Sequence, residues 1–248
     1  MRIDWRGVFP AVTTQFNRDL TLDLEATQRH IEVMIDAGST GLVMLGSLGE
    51  NVTLDRSEKR RVMRAAIEAA AGRVPVLSGV AETSTAAALS YARELERLGA
   101  DGLLLLPAMI YKADARETLA HYRSVARATA LPIICYNNPV AYHVDITPAM
   151  LAELAREKNL IGIKESSGDL RRFTDIQNLV GDRYRLFAGI DDLVLESVLL
   201  GAVGWIAGLN LAFPREGQRL WELMQRGEWS AARRLYRWFM PLMHLDTH

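Results

Sequence analysis

Leu98-Gly99-Ala100-Asp101-Gly102-Leu103-Leu104-Leu105-Leu106 compresses a helix end, a turn and a buried strand into one short run. The first glycine stands where a helix should stop, because glycine takes the left-handed conformation at little cost. The second precedes an apolar stretch too short for a helix and bounded by turn residues, which reads as a fully buried strand. The same grammar recurs at Ala37-Gly-Ser-Thr-Gly-Leu-Val-Met-Leu45 and at Leu200-Gly-Ala-Val-Gly-Trp-Ile-Ala-Gly208. Helix-then-strand junctions of this kind belong to chains that alternate the two elements around a parallel sheet.

Working outward, the alternation runs along the chain. Strands are expected at 7–16, 42–46, 75–80, 102–106, 132–137, 160–165, 184–190 and 204–208, and helices at 23–37, 57–71, 84–98, 114–129, from 147, 170–180, 193–200 and 213–226. Asp114 and Glu117 suit a reciprocal helix cap, and Thr147-Pro148 supplies a cap residue followed by a first-turn proline. Eight such units without a linker predict an α/β fold, a (β/α)8 TIM barrel. An open doubly wound sheet is the alternative, but no Gly-x-Gly-x-x-Gly follows any strand. The barrel is assigned to residues 1–226. Residues 227–248, with Trp229, Leu235, Trp238, Phe239 and Leu242 at helical spacing, are expected to start a C-terminal helical region that is cut short.

The 248 residues carry a net charge of −1, with no basic tract or aromatic-basic patch, so nucleic acid is not an expected partner. Apolar runs fall short of the roughly 18 residues that span a bilayer, and the first residues carry no apolar signal region. The one cysteine, Cys135, cannot form an intrachain disulfide and fits a reducing compartment. A soluble cytoplasmic protein is expected, without membrane partners.

Within the strand Leu160-Ile161-Gly162-Ile163-Lys164-Glu165, alternation puts Leu160, Gly162 and Lys164 on one side. Of 29 Lys and Arg residues only four are lysines, and Lys164 alone continues an apolar strand; Lys59, Lys112 and Lys158 have polar neighbours. Lys164 is either an amine held ready to attack a carbonyl or a lysine paired with a carboxylate at a strand end. Tyr136 ends the preceding strand, as a proton shuttle or as an aromatic packed in the barrel mouth. If Tyr136 faces the barrel centre, Cys135 faces the helices and is a core thiol. Gly46-Ser47-Leu48-Gly49-Glu50 reads as a plain turn or as a carboxylate-holding loop. After strands seven and eight, Asp191 and Asp192 without a basic neighbour argue against a phosphorylated ligand or pyridoxal phosphate. His244 and His248 have i, i+4 spacing around Asp246 but no third ligand, so no metal site is assigned.

Taken together, Gly46-Ser-Leu-Gly-Glu50, Tyr136-Asn-Asn-Pro139, Gly162-Ile-Lys-Glu165 and Gly189-Ile-Asp191 resemble the dihydrodipicolinate synthase and N-acetylneuraminate lyase family over nearly the whole chain. The resemblance implies class I Schiff-base chemistry on a 2-oxo acid, without metal or organic cofactor, in a homodimer or homotetramer. It implies Lys164 as the Schiff-base lysine, Tyr136 as the proton-relaying tyrosine, and Ser47, the Leu48 amide and Gly189 as substrate-binding positions. Three departures bear on the substrate. Leu48 stands for a second threonine, and Ala141 for an arginine that holds a second substrate's carboxylate. Met109 stands near the place of a tyrosine lent by the adjacent subunit, with Tyr111 displaced from it.

Asn138-Pro-Val-Ala-Tyr-His-Val-Asp-Ile-Thr-Pro148 and Trp238-Phe-Met-Pro-Leu-Met-His-Leu-Asp246 are similar to a branch of that family, the 1-pyrroline-4-hydroxy-2-carboxylate deaminases of hydroxyproline catabolism. This branch implies ring opening on Lys164, loss of the 4-hydroxyl with His143 nearby, and release of ammonia and 2,5-dioxopentanoate. Three alternatives stand beside it. These are a 2-keto-3-deoxy sugar acid dehydratase or aldolase, a dihydrodipicolinate synthase, and a relative that binds a keto acid without turning it over.

Overall fold

The computed structural model describes residues 4–108 and 111–246. Eight parallel strands are paired in the order β1-β8-β7-β6-β5-β4-β3-β2. They are β1 (Gly7–Pro10), β2 (Leu42–Met44), β3 (Val76–Val80), β4 (Gly102–Leu105), β5 (Ile133–Asn137), β6 (Leu160–Glu165), β7 (Arg185–Ala188) and β8 (Gly204–Ala207). An isolated parallel bridge between Ala11 and Val43, with Val12 N donating to Val43 O at 2.9 Å, joins the first strand to the second. The result is the expected (β/α)8 barrel.

The paired glycines explain themselves. Gly38, Gly99 and Gly201 have φ of 100°, 87° and 98°, the left-handed conformation that ends a helix. The second glycines admit aromatic rings. A Cβ on Gly41 would lie 2.0 Å from Phe9, on Gly102 2.2 Å from Trp5, and on Gly204 2.3 Å from Phe187. Phe9 and Phe187 meet edge to face at 5.5 Å inside the barrel. The repeated motif thus stops the helix and clears the barrel interior for a ring.

The helices are α1 (Leu24–Asp36), α2 (Arg56–Ala70), α3 (Thr85–Leu98), α4 (Ala115–Ala128), α5 (Pro139–Tyr142), α6 (Pro148–Leu154), α7 (Arg171–Val180), α8 (Val194–Leu199), α9 (Pro214–Gln225) and α10 (Trp229–Met243). Asp114 and Glu117 form the reciprocal cap at the start of α4, with Asp114 Oδ1 accepting from Glu117 N at 2.8 Å. Such a cap stabilises by about 1 kcal/mol. Strand alternation then sorts side chains into two layers. Phe9, Leu77, Leu104, Ile134, Tyr136, Phe187 and Ile206 fill the barrel, while Leu103, Leu105, Ile133, Cys135 and Ile163 face the helices.

Several expectations shift. The first strand stops at Pro10 rather than at Phe16, because the chain leaves the sheet after closing on Val43. The expected helix from Leu193 to Leu200 begins instead as a 3-10 turn over Asp191–Leu193. Strict alternation fails in β6. The register slips between Ile133 and Ile134, leaving Ile161 unpaired, and Leu160 packs with Ile163 in the outer layer instead of sharing the face of Lys164. Helix α5 was not expected at all.

At the C-terminal end, α10 packs its buried Tyr236, Phe239 and Met243 with α8 and α9. The Tyr236 hydroxyl donates to Asp192 O, and His244 Nδ1 meets Asp192 Oδ2 at 2.8 Å. His244 therefore sits against a carboxylate from the loop after β7, and His248, its expected helical partner, lies outside the described residues. No described helix is long and apolar enough to cross a membrane.

Candidate active site

Lys164 and Tyr136 are direct partners in the β5–β6 register, at the C-terminal ends of their strands. Both turn into a cavity of about 390 Å³ at the barrel mouth. The Lys164 ammonium sits 4.2 Å from the centroid of the Tyr136 ring. Burial pushes the Tyr136 phenol upward, but the Lys164 charge, with hydrogen bonding from Asn138, Lys164 and Ser166, outweighs it and brings it below its ordinary value.

Burial alone does not distinguish Lys164. Lys59, expected in polar and open surroundings, is also 7% exposed. Its ammonium, however, pairs with Glu82 at 2.8 Å and lies over the Tyr91 ring. Among the described residues no carboxylate lies within salt-bridge distance of Lys164, which removes the reading of a paired strand-end lysine. Lys112 and Lys158 are exposed.

Gly189 makes this arrangement fit. A Cβ there would fall 2.8 Å from Lys164 Cγ and 2.0 Å from Ser166 Oγ. Its expected contact with substrate is thus joined by a steric duty, since any side chain would displace the lysine. Behind Lys164, the Glu165 carboxylate accepts from both Asn137 Nδ2, at 3.1 Å, and Ser167 N, at 2.7 Å. Burial raises the Glu165 carboxyl above its usual range despite these donors. Asn137 Oδ1 in turn accepts from Ile146 N, and Arg172 grips Asp145 with two bonds of 2.7 Å. This network pins the ends of β5 and β6 from the outside.

The Gly46–Glu50 turn closes the opposite side. Gly49 N donates to Gly46 O, Thr14 Oγ1 donates to Gly49 O, and Asn51 Nδ2 donates to Leu45 O. A Cβ on Gly49 would lie 2.8 Å from Leu45 N, so the turn needs that glycine. Ser47 and Leu48, both exposed at its crest, line the cavity. The Ser47 hydroxyl is hydrogen-bonded to the Tyr142 hydroxyl. Tyr142 also stands edge-on to Tyr136, with centroids 5.5 Å apart and planes at 85°.

Tyr142, a phenol that the sequence places near the substrate without a role, and Ser166, which it does not single out, both line the cavity. Helix α5 carries Tyr142; Asn138 caps it by accepting from Ala141 N at 3.0 Å, and Pro139 holds its first turn. Asparagine followed by proline is a helix-start signature and was the available signal. His143, expected to bind substrate, is not brought to the cavity. It caps α5 with a left-handed φ of 57° and is exposed. Met109 lies outside the described residues, and Tyr111 is exposed against a separate hollow beside Pro107 and His121.

The wall built by β7 and β8 is different in kind. Asp191 accepts from Trp205 Nε1 at 2.8 Å, Gly208 N at 3.1 Å and Leu209 N at 2.6 Å. A carboxylate of the protein itself thus takes up the amides that follow β8. Cys135 faces the helix layer, fully buried, and burial pushes its thiol up to about 12. Among the described residues no group of three or more His, Cys, Asp or Glu could hold a metal ion.

A model of the dihydrodipicolinate synthetase family matches residues 4–247. The 4-hydroxy-tetrahydrodipicolinate synthase of Methanospirillum hungatei is 34% identical over 241 residues, 96% of this chain and 82% of that one. A crystal structure of a putative dihydrodipicolinate synthetase from Pseudomonas aeruginosa superposes with a TM-score of 0.93 at 31% identity, over 97% of this chain and 83% of that one. The 4-hydroxy-tetrahydrodipicolinate synthase of Methylacidiphilum fumariolicum superposes with a TM-score of 0.94 at 29% identity, over 97% and 80%. Sequence match and superposition both run through the strands that carry Tyr136 and Lys164, and this chain is an enzyme of the dihydrodipicolinate synthetase family.

Proposed function

We propose that this enzyme is a lyase that joins Lys164 to the carbonyl carbon of a small 2-oxo acid as a Schiff base. The observation that carries this reading is a lysine that, among the described residues, has no carboxylate partner and shares the cavity lining with no other cation, beneath a tyrosine whose phenol its charge pulls downward. The neutral amine attacks C2, and the carbonyl electron pair moves to oxygen. Tyr136 passes the proton that the ammonium gave up to that oxygen, making a carbinolamine, then carries a second proton from the nitrogen to the hydroxyl; water leaves, and an iminium remains. The substrate carboxylate is held at the Ser47–Leu48 turn. The iminium then acidifies C3, the carbon from which lyase chemistry proceeds.

For the substrate, the relatives' names favour 4-hydroxy-tetrahydrodipicolinate synthesis, and this is the leading assignment. The expected deaminase branch has no support among these relatives. One observation keeps deamination of 1-pyrroline-4-hydroxy-2-carboxylate as a second reading. Ala141, Val140 and Leu48 line the cavity, and among the described residues no cation besides Lys164 does, so these residues offer no second positive charge to hold the carboxylate of a second substrate.

Borohydride trapping with each candidate, read by peptide mass spectrometry, tests the shared chemistry; turnover assays separate the substrates. Adducts on Lys164 are expected throughout. Condensation of pyruvate with a second substrate would support the synthase. Ammonia released from the pyrroline, with no condensation, would replace it with the deaminase. Adducts on Lys59, Lys112 or Lys158 would overturn the assignment of the nucleophile.

A further inference from the structure

We propose that the Tyr142 hydroxyl links Tyr136 to Ser47 in a proton relay contained within one chain, so that the path from the buried phenol to solvent needs no residue from a neighbouring subunit. The proposal rests on the Schiff-base reading and adds to it a positioning residue that acts through Tyr136.

Three observations converge on it. Tyr142 meets Ser47 hydroxyl to hydroxyl, although the two residues are 95 positions apart. Its ring stands edge-on to Tyr136 within the same cavity. Exposure then rises along the series, since Tyr136 is 7% exposed, Tyr142 half-buried and Ser47 open to water. Helix α5 fixes this placement, because Asn138 caps it with one end of its amide and donates from the other end to the Tyr136 hydroxyl at 3.4 Å.

The chemistry requires such a path. Forming the iminium converts an ammonium and a ketone into an iminium and water, so two protons must pass, one after the other, from the Lys164 nitrogen to the departing oxygen. Tyr136 gives its proton to that oxygen and takes the lysine's proton in return. Whenever the two transfers are not simultaneous, Tyr136 is left as a buried phenolate. A proton moving from Tyr142, replaced in turn through Ser47 from water, neutralises it, and the proton then released by the lysine nitrogen returns to water along the same path, so the relay carries no net charge. Burial raises the Tyr142 phenol, as does the neighbouring Tyr136, so Tyr142 stays protonated and serves as a donor.

Tyr142→Phe in the full chain is the test, since phenylalanine keeps the ring contact and removes the hydroxyl. The expected result is a fall in kcat of about 10- to 100-fold with KM changed less than about 3-fold. At saturation, borohydride should still trap the wild-type amount of Lys164 adduct, formed more slowly. Ser47→Ala interrupts the relay from the other end, and in kcat the double variant should be no slower than the slower single variant. A kcat equal to wild type, or single effects that multiply, would overturn the relay while leaving the Schiff base intact. Absence of any Lys164 adduct in the wild-type protein would remove both. Assemblies mixed from Lys164→Ala and Tyr142→Phe chains should regain no activity, because the two groups serve the same chain. Recovery on mixing would show the hydroxyl crossing between subunits, against the proposal.

Discussion

On the β5–β6 side of the barrel mouth, Lys164, Tyr136, Tyr142 and Ser166 present their polar atoms to the cavity. On the β7–β8 side, Asp191 turns its carboxylate back onto the protein. Among the described residues Ser166 Oγ is buried and has only the Tyr136 phenol at the cavity edge to bond to, whereas Asp191 accepts from the Trp205 indole and from the Gly208 and Leu209 amides. Both walls carry buried polar groups, and burial by itself therefore does not locate chemistry. What separates them is where the hydrogen bonds close. A group whose bonds end on the protein holds shape, and one whose bonds end in a cavity is available to a ligand. Lys59 and Lys164 repeat the lesson as equally buried lysines, the first closed on Glu82 and the second open.

The comparison breaks most sharply at Lys164. Lys164→Ala should reduce turnover by about 10⁴-fold or more, the scale of removing a covalent nucleophile. Borohydride adducts should vanish, while circular dichroism and the unfolding midpoint stay near wild type. Retained turnover at a tenth of the wild-type rate would mean that the open lysine is not the reacting group.

Asp191 gives the reciprocal test, on stability. Asp191→Ala leaves the Trp205 indole and the Gly208 and Leu209 amides without their acceptor. The expected loss is about 3 kcal/mol, from stranded buried donors. Urea unfolding should show a lower midpoint at an unchanged slope, and the protein that remains folded should still form the Lys164 adduct. A loss below about 1 kcal/mol would mean that water satisfies these donors, and the two walls would then differ less than their geometry implies.

Tyr136→Phe comes next, with turnover lowered about 100-fold and substrate affinity changed much less, because the ring still covers the ammonium. An unchanged turnover number would make Tyr136 a packed aromatic, one of the two roles its position allowed. The placement of Lys164 and Tyr136 at the barrel mouth was legible because strand ends are local. An apolar run stopping at Lys164, or at Tyr136, can be read from a few neighbours. The paired glycines were legible for the same reason, each pair marking a helix end and a ring's clearance. What escaped was non-local or aperiodic. Ser47, on the turn after β2, and Tyr142, on α5, meet across the mouth from distant parts of the sequence. Helix α5 is a single turn, too short to show a period. The slip at Ile161 is silent because isoleucine suits either face of a buried strand. His143 follows from α5 as well, since the turn that brings Tyr142 inward carries the next residue outward.

Cys135 is the smallest effect and the finest cut, because it sits beside Tyr136 on the same strand and faces the other layer. Alternation makes it a core thiol packed against the helices, fully buried, with the thiol pushed up to about 12. The thiol stays protonated near neutral pH, and the sulfur does not meet solvent. A maleimide or disulfide reagent should therefore leave the native protein unlabelled and react promptly once urea unfolds it. Cys135→Ala should cost about 1–2 kcal/mol of stability for the sulfur removed from a packed site. Turnover should stay within about 3-fold of wild type, because the lost volume lies on the helix side of the strand. Rapid labelling of folded protein, or a turnover loss approaching that of Tyr136→Phe, would mean that β5 does not present these neighbours to opposite layers. The placement of Tyr136 over Lys164 would fall with it, since one register sets both.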